Sequence, residues 1–169
     1  MKINIEVQMS TKIMYNYVLQ HTYTSIGGIG GMVFGIVCLV WSIEKLISGV
    51  ISQSSLVLLF LGVMFVFVNP VMLWNKARKQ VKNTPTFQKP IEYELNEEGI
   101  IASQDGQSTE MTWDTVMKVT ATNMSVIVYY SRMRAVILPK QDFGDNYTNA
   151  VQMIFTHVSA KKVKIRTVS

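Results

Sequence analysis

The sequence predicts an α+β membrane protein, in which a hairpin of two transmembrane helices is followed by a small antiparallel β domain that a C-terminal helix caps. Two uncharged apolar runs, Ile26 to Ile43 and Leu56 to Trp74, each approach the ~20 residues that a helix needs to cross a bilayer. A short connection containing Glu44 and Lys45 separates them. From Phe87 onward, short alternating segments between turn residues are typical of antiparallel strands, and the last periodic segment has helical spacing.

The chain divides into four predicted segments. They are a strand with an amphipathic helix at residues 1–24, the helical hairpin at 25–75 with spans at about 26–46 and 55–75, a basic juxtamembrane segment at 76–86, and the β domain at 87–169. In residues 2–8, apolar side chains at Ile3, Ile5 and Val7 alternate with polar ones, which predicts a strand. Because a lone strand is unstable in water, we expect it to pair with, or pack against, the β domain.

Charge is unevenly distributed along the chain. Thirteen of the sixteen Lys and Arg residues lie in residues 76–169, although the net charge is only +5. The first four follow the second apolar run directly: Lys76, Arg78, Lys79 and Lys82. Since positive residues favour the cytoplasmic side, both termini are predicted to be cytoplasmic, in a multi-pass protein of the cell membrane. The same four side chains are predicted to contact anionic lipids.

The first predicted span carries small residues at intervals of about four, which allow another helix to approach closely. They are Gly27, Gly31, Gly35, Cys38 and Ser42. This face is predicted to pack on the second span of the same chain, with association between chains, and therefore a homo-oligomer, left open. In the second span, Asn69-Pro70 predicts a kink, because proline removes one helical hydrogen bond. We interpret Asn69 as bonding a neighbouring helix or the backbone that Pro70 frees.

The second half of the chain predicts a curved antiparallel sheet closed by a helix of roughly residues 145–160. Turns are predicted at residues 96–99 and 104–107, and a short strand is predicted at the tail, where Val163 and Ile165 alternate with basic residues. This architecture resembles a pleckstrin-homology-like (PH-like) domain. The predicted core residues of the domain are Trp113, Val116, Val119, Tyr129, Pro139 and Phe143.

A spaced pattern in this half resembles the YcxB-like protein family. Its members are Glu98-Gly99-Ile100, Trp113 with Val116 and Val119, Tyr129-Tyr130, Ile137-Leu138-Pro139-Lys140, and Phe143. The N-terminal strand, polar helix and two spans are also similar to that family's layout. The resemblance implies a bacterial membrane protein with two spans and a cytosolic PH-like domain, and it supplies no catalytic residue. Gly144 departs from the pattern, which has a helix-capping side chain there; glycine is still an acceptable cap.

No chemical motif indicates catalysis or a cofactor. His21 and His157 lie in different elements without a second ligand at metal-binding spacing, and Cys38, the only cysteine, excludes an intramolecular disulfide. Glu97-Glu98 is interpreted as a solvated turn rather than a catalytic pair. The basic tail lacks the interleaved aromatic residues that nucleic-acid binding favours. We therefore predict no enzyme activity, no cofactor, no metal and no nucleic acid.

Three functions remain compatible with the sequence. The leading hypothesis is a protein-interaction or regulatory module at the inner face of the membrane, with an unidentified membrane or cytosolic protein as partner. The first alternative is a small oligomeric transport or pore-forming subunit, which the glycine face and Asn69 favour. The second alternative is an immunity-type protein against a membrane-active toxin, which small size and two spans suggest.

Overall fold

A computed structural model of the chain describes residues 2–49, 52–131 and 134–165. The chain forms two compact units: residues 18–79 make up a helical unit, and residues 1–17 together with 80–169 make up a mainly β unit. The predicted boundaries followed the chain in order, whereas the observed β unit combines both ends of the chain. The N-terminal strand explains this arrangement, because it pairs within the β unit.

Helical elements dominate the first half of the chain, and serine side chains cap some of them. They are α1 (Thr11–Tyr23), α2 (Ile26–Ile47), α3 (Gln53–Val63), a π-helical segment (Met64–Val68) and α4 (Asn69–Asn83). The Ser25 side chain accepts a hydrogen bond from the Gly28 backbone N–H at 3.1 Å, which caps α2. Ser52 and Ser55 form a reciprocal capping box at the start of α3.

Two helices are long and apolar enough to cross a membrane, judged by length and composition. One is Ile26–Ile47, with 22 residues, and the other is Gln53–Asn83, with 31 residues. The second helix contains the predicted irregularity as a π-helical segment, in which the Asn69 backbone N–H bonds to the Met64 carbonyl, five residues back. Because Pro70 cannot donate and its ring opposes the carbonyl one turn earlier, the wider π turn accommodates it.

Glycines position α2 against the second helix within the helical unit. A Cβ at Gly35 would lie 2.6 Å from the Phe65 Cβ, and one at Gly31 would lie 3.2 Å from the Phe65 ring. Gly62, on α3, would place a Cβ 2.6 Å from Leu39. These close approaches need residues without side chains.

Gly27 is a correction to the predicted packing face. A Cβ there would meet nothing within 4 Å, so no close approach of another described segment requires glycine at this position. The rest of the face lies at the contact or is buried: Gly31, Gly35, Cys38 and Ser42. Gly27 lies in the first turn of α2, two residues after the N-cap Ser25, at the end of the predicted face.

The β unit contains two four-stranded sheets. The first has the order β1-β2-β3-β4, with strands Ile3–Val7, Ile91–Leu95, Gly99–Gln104 and Gln107–Thr112. The second has the order β7-β6-β5-β8, with strands Ala135–Pro139, Ser125–Tyr129, Lys118–Ala121 and Val163–Lys164. All pairings are antiparallel except β5 with β8, which is parallel. The N-terminal strand pairs along its length with β2, from Ile3 opposite Leu95 to Val7 opposite Ile91, as its alternation indicated.

One core joins both sheets to helix α5 (Tyr147–His157). It includes inward residues of β1, β2, β3, β5 and β6, together with Ala150, Met153 and Ile154 of α5. Helix α5 is shorter than the predicted 145–160, because its last residue is His157 and the backbone turns extended at Val158. Gly144 has φ +52°, a conformation that favours glycine, and Asn146 is the residue at the N-cap position. The glycine is thus explained by the turn rather than by capping.

Candidate functional site

The predicted core residues of the β unit separate into two groups. Five are buried: Trp113, Val116, Val119, Pro139 and Phe143. The prediction that Tyr129 belongs to the core is wrong, because its side chain is only half-buried and lies outside the core. It follows the alternation of β6 to the strand end, where its ring lies 6.4 Å from the Tyr17 ring and beneath the Lys118 ammonium. Trp113 follows the end of β4 and opens a 3₁₀ turn (Trp113–Thr115).

The four juxtamembrane cations all lie on one helix, α4, and all are exposed. At 3.6 residues per turn, Lys76, Arg78, Lys79 and Lys82 spread over an arc of about 160°. Ala77, at 0% exposure, points to the opposite side. None of the four forms an ion pair with another described residue. A cationic helix side directly after an apolar segment can bind anionic groups.

Asn69, the polar residue of the predicted kink, is half-buried at the first position of α4. Its backbone N–H is bonded to Met64, as described above. Its side chain forms no hydrogen bond with another described residue.

The first hairpin of the β unit carries an unpredicted side-chain cluster. His157 Nε2 lies 2.9 Å from a carboxylate oxygen of Glu97, and its ring stacks on Trp113 with centroids 6.0 Å apart and planes inclined by 8°. The Trp113 indole N–H donates to the Asn96 carbonyl at 2.9 Å. The sequence indicated only a solvated turn at Glu97-Glu98. The contact joins residues that are 60 positions apart, so no local sequence pattern predicts it.

Acidic side chains surround this cluster. A cleft of about 400 Å³ is lined by Trp113, His157, Thr112 and the four carboxylates Glu97, Glu98, Glu110 and Asp114. Among the described parts of the chain, no group of three or more His, Cys, Asp or Glu side chains could hold a metal ion. The cleft therefore presents negative charge at one end of β4 without the convergent geometry of a metal site.

Strand β4 is an open sheet edge beside this cleft. It pairs with β3 on one side and, within the described residues, has no strand on the other. Five of its six residues are exposed, and only Met111 is half-buried. An edge strand presents a row of unpaired backbone N–H and C=O groups that another strand can pair with.

The connection between α4 and β2 is held by glutamine side chains. Gln88 donates to the carbonyls of Val81 and Lys82, at 2.7 and 3.0 Å, and so caps the last turn of α4. Gln8 donates to the Phe87 carbonyl at 3.0 Å. Gln104 donates to three further carbonyls of the connection, those of Thr86, Lys89 and Pro90. Backbone carbonyls of the predicted basic segment, residues 76–86, therefore accept hydrogen bonds from glutamine side chains of the β unit.

Two phenol side chains inside the β unit are shielded from water. Burial raises the pKa of Tyr93 to about 12 and also raises the pKa of Tyr130. The Tyr130 hydroxyl is buried and has no hydrogen-bond partner among the described residues. Both side chains are therefore neutral near pH 7.

The raised pKa of Tyr93 predicts a loss of stability in alkali. In the unfolded chain the phenol ionises near pH 10, whereas in the folded chain it ionises near 12. The contribution is thus fully present below about pH 10 and is lost as pH rises through about 12. We expect the Tyr93→Phe variant to lose less stability than the wild type over this interval. The measurement is pulse proteolysis of the full chain across pH 9 to 12, and equal losses in both proteins would contradict the prediction.

Comparison with known proteins supports the sequence pattern of the β unit. The model of the YcxB-like protein family matches residues 95–152, which confirms the resemblance. This range holds every residue of the quoted pattern, from Glu98 to Phe143, and lies wholly outside the helical unit. No curated protein and no solved structure matches the chain.

Proposed function

We propose that this chain is an integral membrane protein whose β unit is a PH-like interaction or regulatory module at the inner face of the membrane. It acts by binding a protein partner and not by catalysis. The match of the β unit to the YcxB-like family supports the assignment of this half to one domain type. Two sheets and α5 around one core are compatible with a PH-like architecture.

The exposure of the two long helices carries the membrane part of the proposal. In the apolar 18-residue stretch of each helix, only 17% and 11% of the residues are buried. Side chains such as Val40, Phe60 and Phe67 are 60–65% exposed. The core helix of a soluble protein buries such side chains, so these helices need lipid around them. Charge supports the orientation, because the four cations of α4 favour the cytoplasmic side.

The transport alternative receives less support. Two spans enclose a path only in an oligomer, and the glycine face was the main feature favouring one. Most of that face is occupied within the chain, where Gly31 and Gly35 lie against Phe65. No observation on the described residues favours the immunity role over the others.

The proposal is tested in two steps. Alkaline carbonate extraction of cell membranes should leave the full chain in the pellet, and release into the supernatant would refute membrane insertion. Crosslinking in native membranes then compares the full chain with a chain lacking residues 85–169. A protein partner recovered only with the full chain supports an interaction module. If the full chain and the shortened chain both recover only copies of themselves, the result would instead favour a role for the helices.

We further propose that the cationic side of α4 binds anionic phospholipids of the same membrane. The Lys76→Gln/Lys79→Gln variant should bind phosphatidylglycerol at least fivefold more weakly than wild type, because each lysine near the surface contributes about 1 kcal/mol. Affinity for phosphatidylcholine should not change. Native mass spectrometry of the full chain in neutral detergent measures both affinities.

The matched control removes two lysines with the same charge change elsewhere. Lys161→Gln/Lys164→Gln should leave the phosphatidylglycerol affinity at the wild-type value, since these exposed side chains lie in the C-terminal segment rather than on α4. An equal loss in both double variants would show that net charge, and not the α4 side, attracts the lipid. In that case the lipid-contact proposal is wrong.

A further inference from the structure

We infer that β4 is the docking edge of the β unit and that it pairs with an extended, basic segment of the partner protein. This inference rests on the proposed interaction function and adds the site and the chemistry of the partner. Three observations carry it: the length and exposure of β4 among the outer strands, the direction of its backbone groups, and the charge around it.

Among the described strands, the three outer strands other than β4 are shorter than β4. The outer strands β1 and β7 have five residues each, and the 3₁₀ segment Lys140–Asn146, which directly follows β7, also contacts β1. Strand β8, the outer strand on the other side of the second sheet, has two residues. Within the described residues, β4 is therefore the longest outer strand, and five of its six residues are exposed.

The ladder between β3 and β4 fixes which backbone groups point outward. The Trp113 N–H donates to the Glu98 carbonyl at 3.2 Å, at the end of this ladder. In antiparallel pairs, residues that bond to the partner strand alternate with residues that face away from it. Counting back from Trp113 in steps of two, β4 bonds to β3 through residues 111, 109 and 107. The N–H and C=O groups of Ser108, Glu110 and Thr112 therefore point to the open edge.

The side chains of β4 leave this edge unprotected. Natural edge strands commonly carry Lys or Pro, which discourage pairing. Strand β4 carries neither, and its one charged side chain is that of Glu110. Pairing through backbone groups is therefore available to a strand of another protein.

The negative charge around β4 favours a partner strand with basic side chains. Glu110 lies on β4, and the acidic cleft beyond Thr112 adds Glu98 and Asp114. These three carboxylates form no ion pair within the described residues. A second copy of the chain would bring two such acidic edges together, which like charges oppose. A segment that alternates basic and small apolar residues places cations against the carboxylates on one face, because side chains alternate along a strand.

The experiment uses the full chain in nanodiscs and a short synthetic peptide of alternating lysine and valine. Amide hydrogen exchange, read by NMR, should show new protection at Ser108, Glu110 and Thr112 when the peptide binds. A peptide of the same sequence with N-methylated backbone on alternate residues keeps its charge but loses donors, so it should bind at least tenfold more weakly. A glutamate–valine peptide should also bind at least tenfold more weakly.

A matched pair of variants isolates the backbone of β4. Ser108→Pro removes one outward N–H, which an edge strand tolerates, and should weaken peptide binding at least tenfold. Ser108→Ala keeps that N–H and should bind as the wild type does. If Ser108→Pro fails to fold, the wild-type exchange pattern alone decides the question.

Several results would overturn the inference. They are protection of residues 118–121 instead of β4, equal binding of the N-methylated peptide, or equal binding of the acidic peptide. If partner crosslinking in membranes still succeeds in that case, the interaction function stands and only its site is wrong. If neither the peptide nor a partner binds, both proposals fail.

Discussion

Replacing Trp113 by alanine is expected to be the most destabilising single change in the β unit, costing about 3–5 kcal/mol of unfolding free energy. Trp113 is only 5% exposed and lies in the core that joins the two sheets. Its removal opens a cavity, takes away the ring on which His157 stacks and leaves the Asn96 carbonyl without the indole donor. A small domain has a total stability of about 5–15 kcal/mol, so this loss is a large part of it.

The control for this prediction is Trp113→Phe, which keeps an apolar ring but loses the indole N–H. It should cost less than the alanine variant and more than the ~1 kcal/mol of a single neutral hydrogen bond, because the smaller ring also leaves a void. Pulse proteolysis of the full chain in neutral detergent gives the free energy of unfolding for each variant. A cost below about 1 kcal/mol for Trp113→Ala would contradict the assignment of Trp113 to the core.

The second large effect is expected in the helical unit, where Gly35→Leu should separate α2 from the second helix. A side chain at Gly35 meets the Phe65 Cβ at 2.6 Å and Val66 at 3.2 Å, and the nearby carbonyl of Gly62 belongs to the backbone. Overpacking of this kind costs about 1–3 kcal/mol and sometimes more. We therefore expect a lower unfolding temperature of the helical unit in detergent.

Gly27→Leu provides the matched control, since it makes the same substitution on the same helix where a Cβ meets nothing within 4 Å. It should leave the unfolding temperature close to that of the wild type. Thermal unfolding followed by accessibility of the buried Cys38 thiol to a maleimide measures both variants. Equal loss from both substitutions would mean that helix propensity or lipid contact, rather than the α2 packing face, governs the effect.

The alternation and turn residues predicted most of the β unit because both signals are local. Asn96 illustrates this: its side chain accepts hydrogen bonds from the Glu98 and Gly99 backbone N–H groups, forming the predicted turn. The second turn also has the expected chemistry, with positive φ at Asp105 and Gly106. The pairing of β1 with β2 was indicated by a physical need, since a lone strand requires a partner.

The parts that could not be predicted depend on contacts between distant residues. No local pattern links Glu97 to His157, and the three glutamines of the connection have no motif in common. The predictions that Gly27 lies in the packing face and that Tyr129 lies in the core were wrong for a related reason. A sequence interval or an alternating strand gives the face of an element, but it does not show which residues on that face a neighbouring element covers.

The central claim is that the β unit binds a protein partner while the helices hold the chain in the membrane. A photocrosslinking amino acid placed at Thr109, an exposed residue of β4, tests it most directly in living cells. The same amino acid at Lys161, exposed in the C-terminal segment, is the control. The account predicts one defined protein adduct from position 109 in the membrane fraction and none from position 161. No adduct from position 109, or the same adducts from both positions, would contradict it.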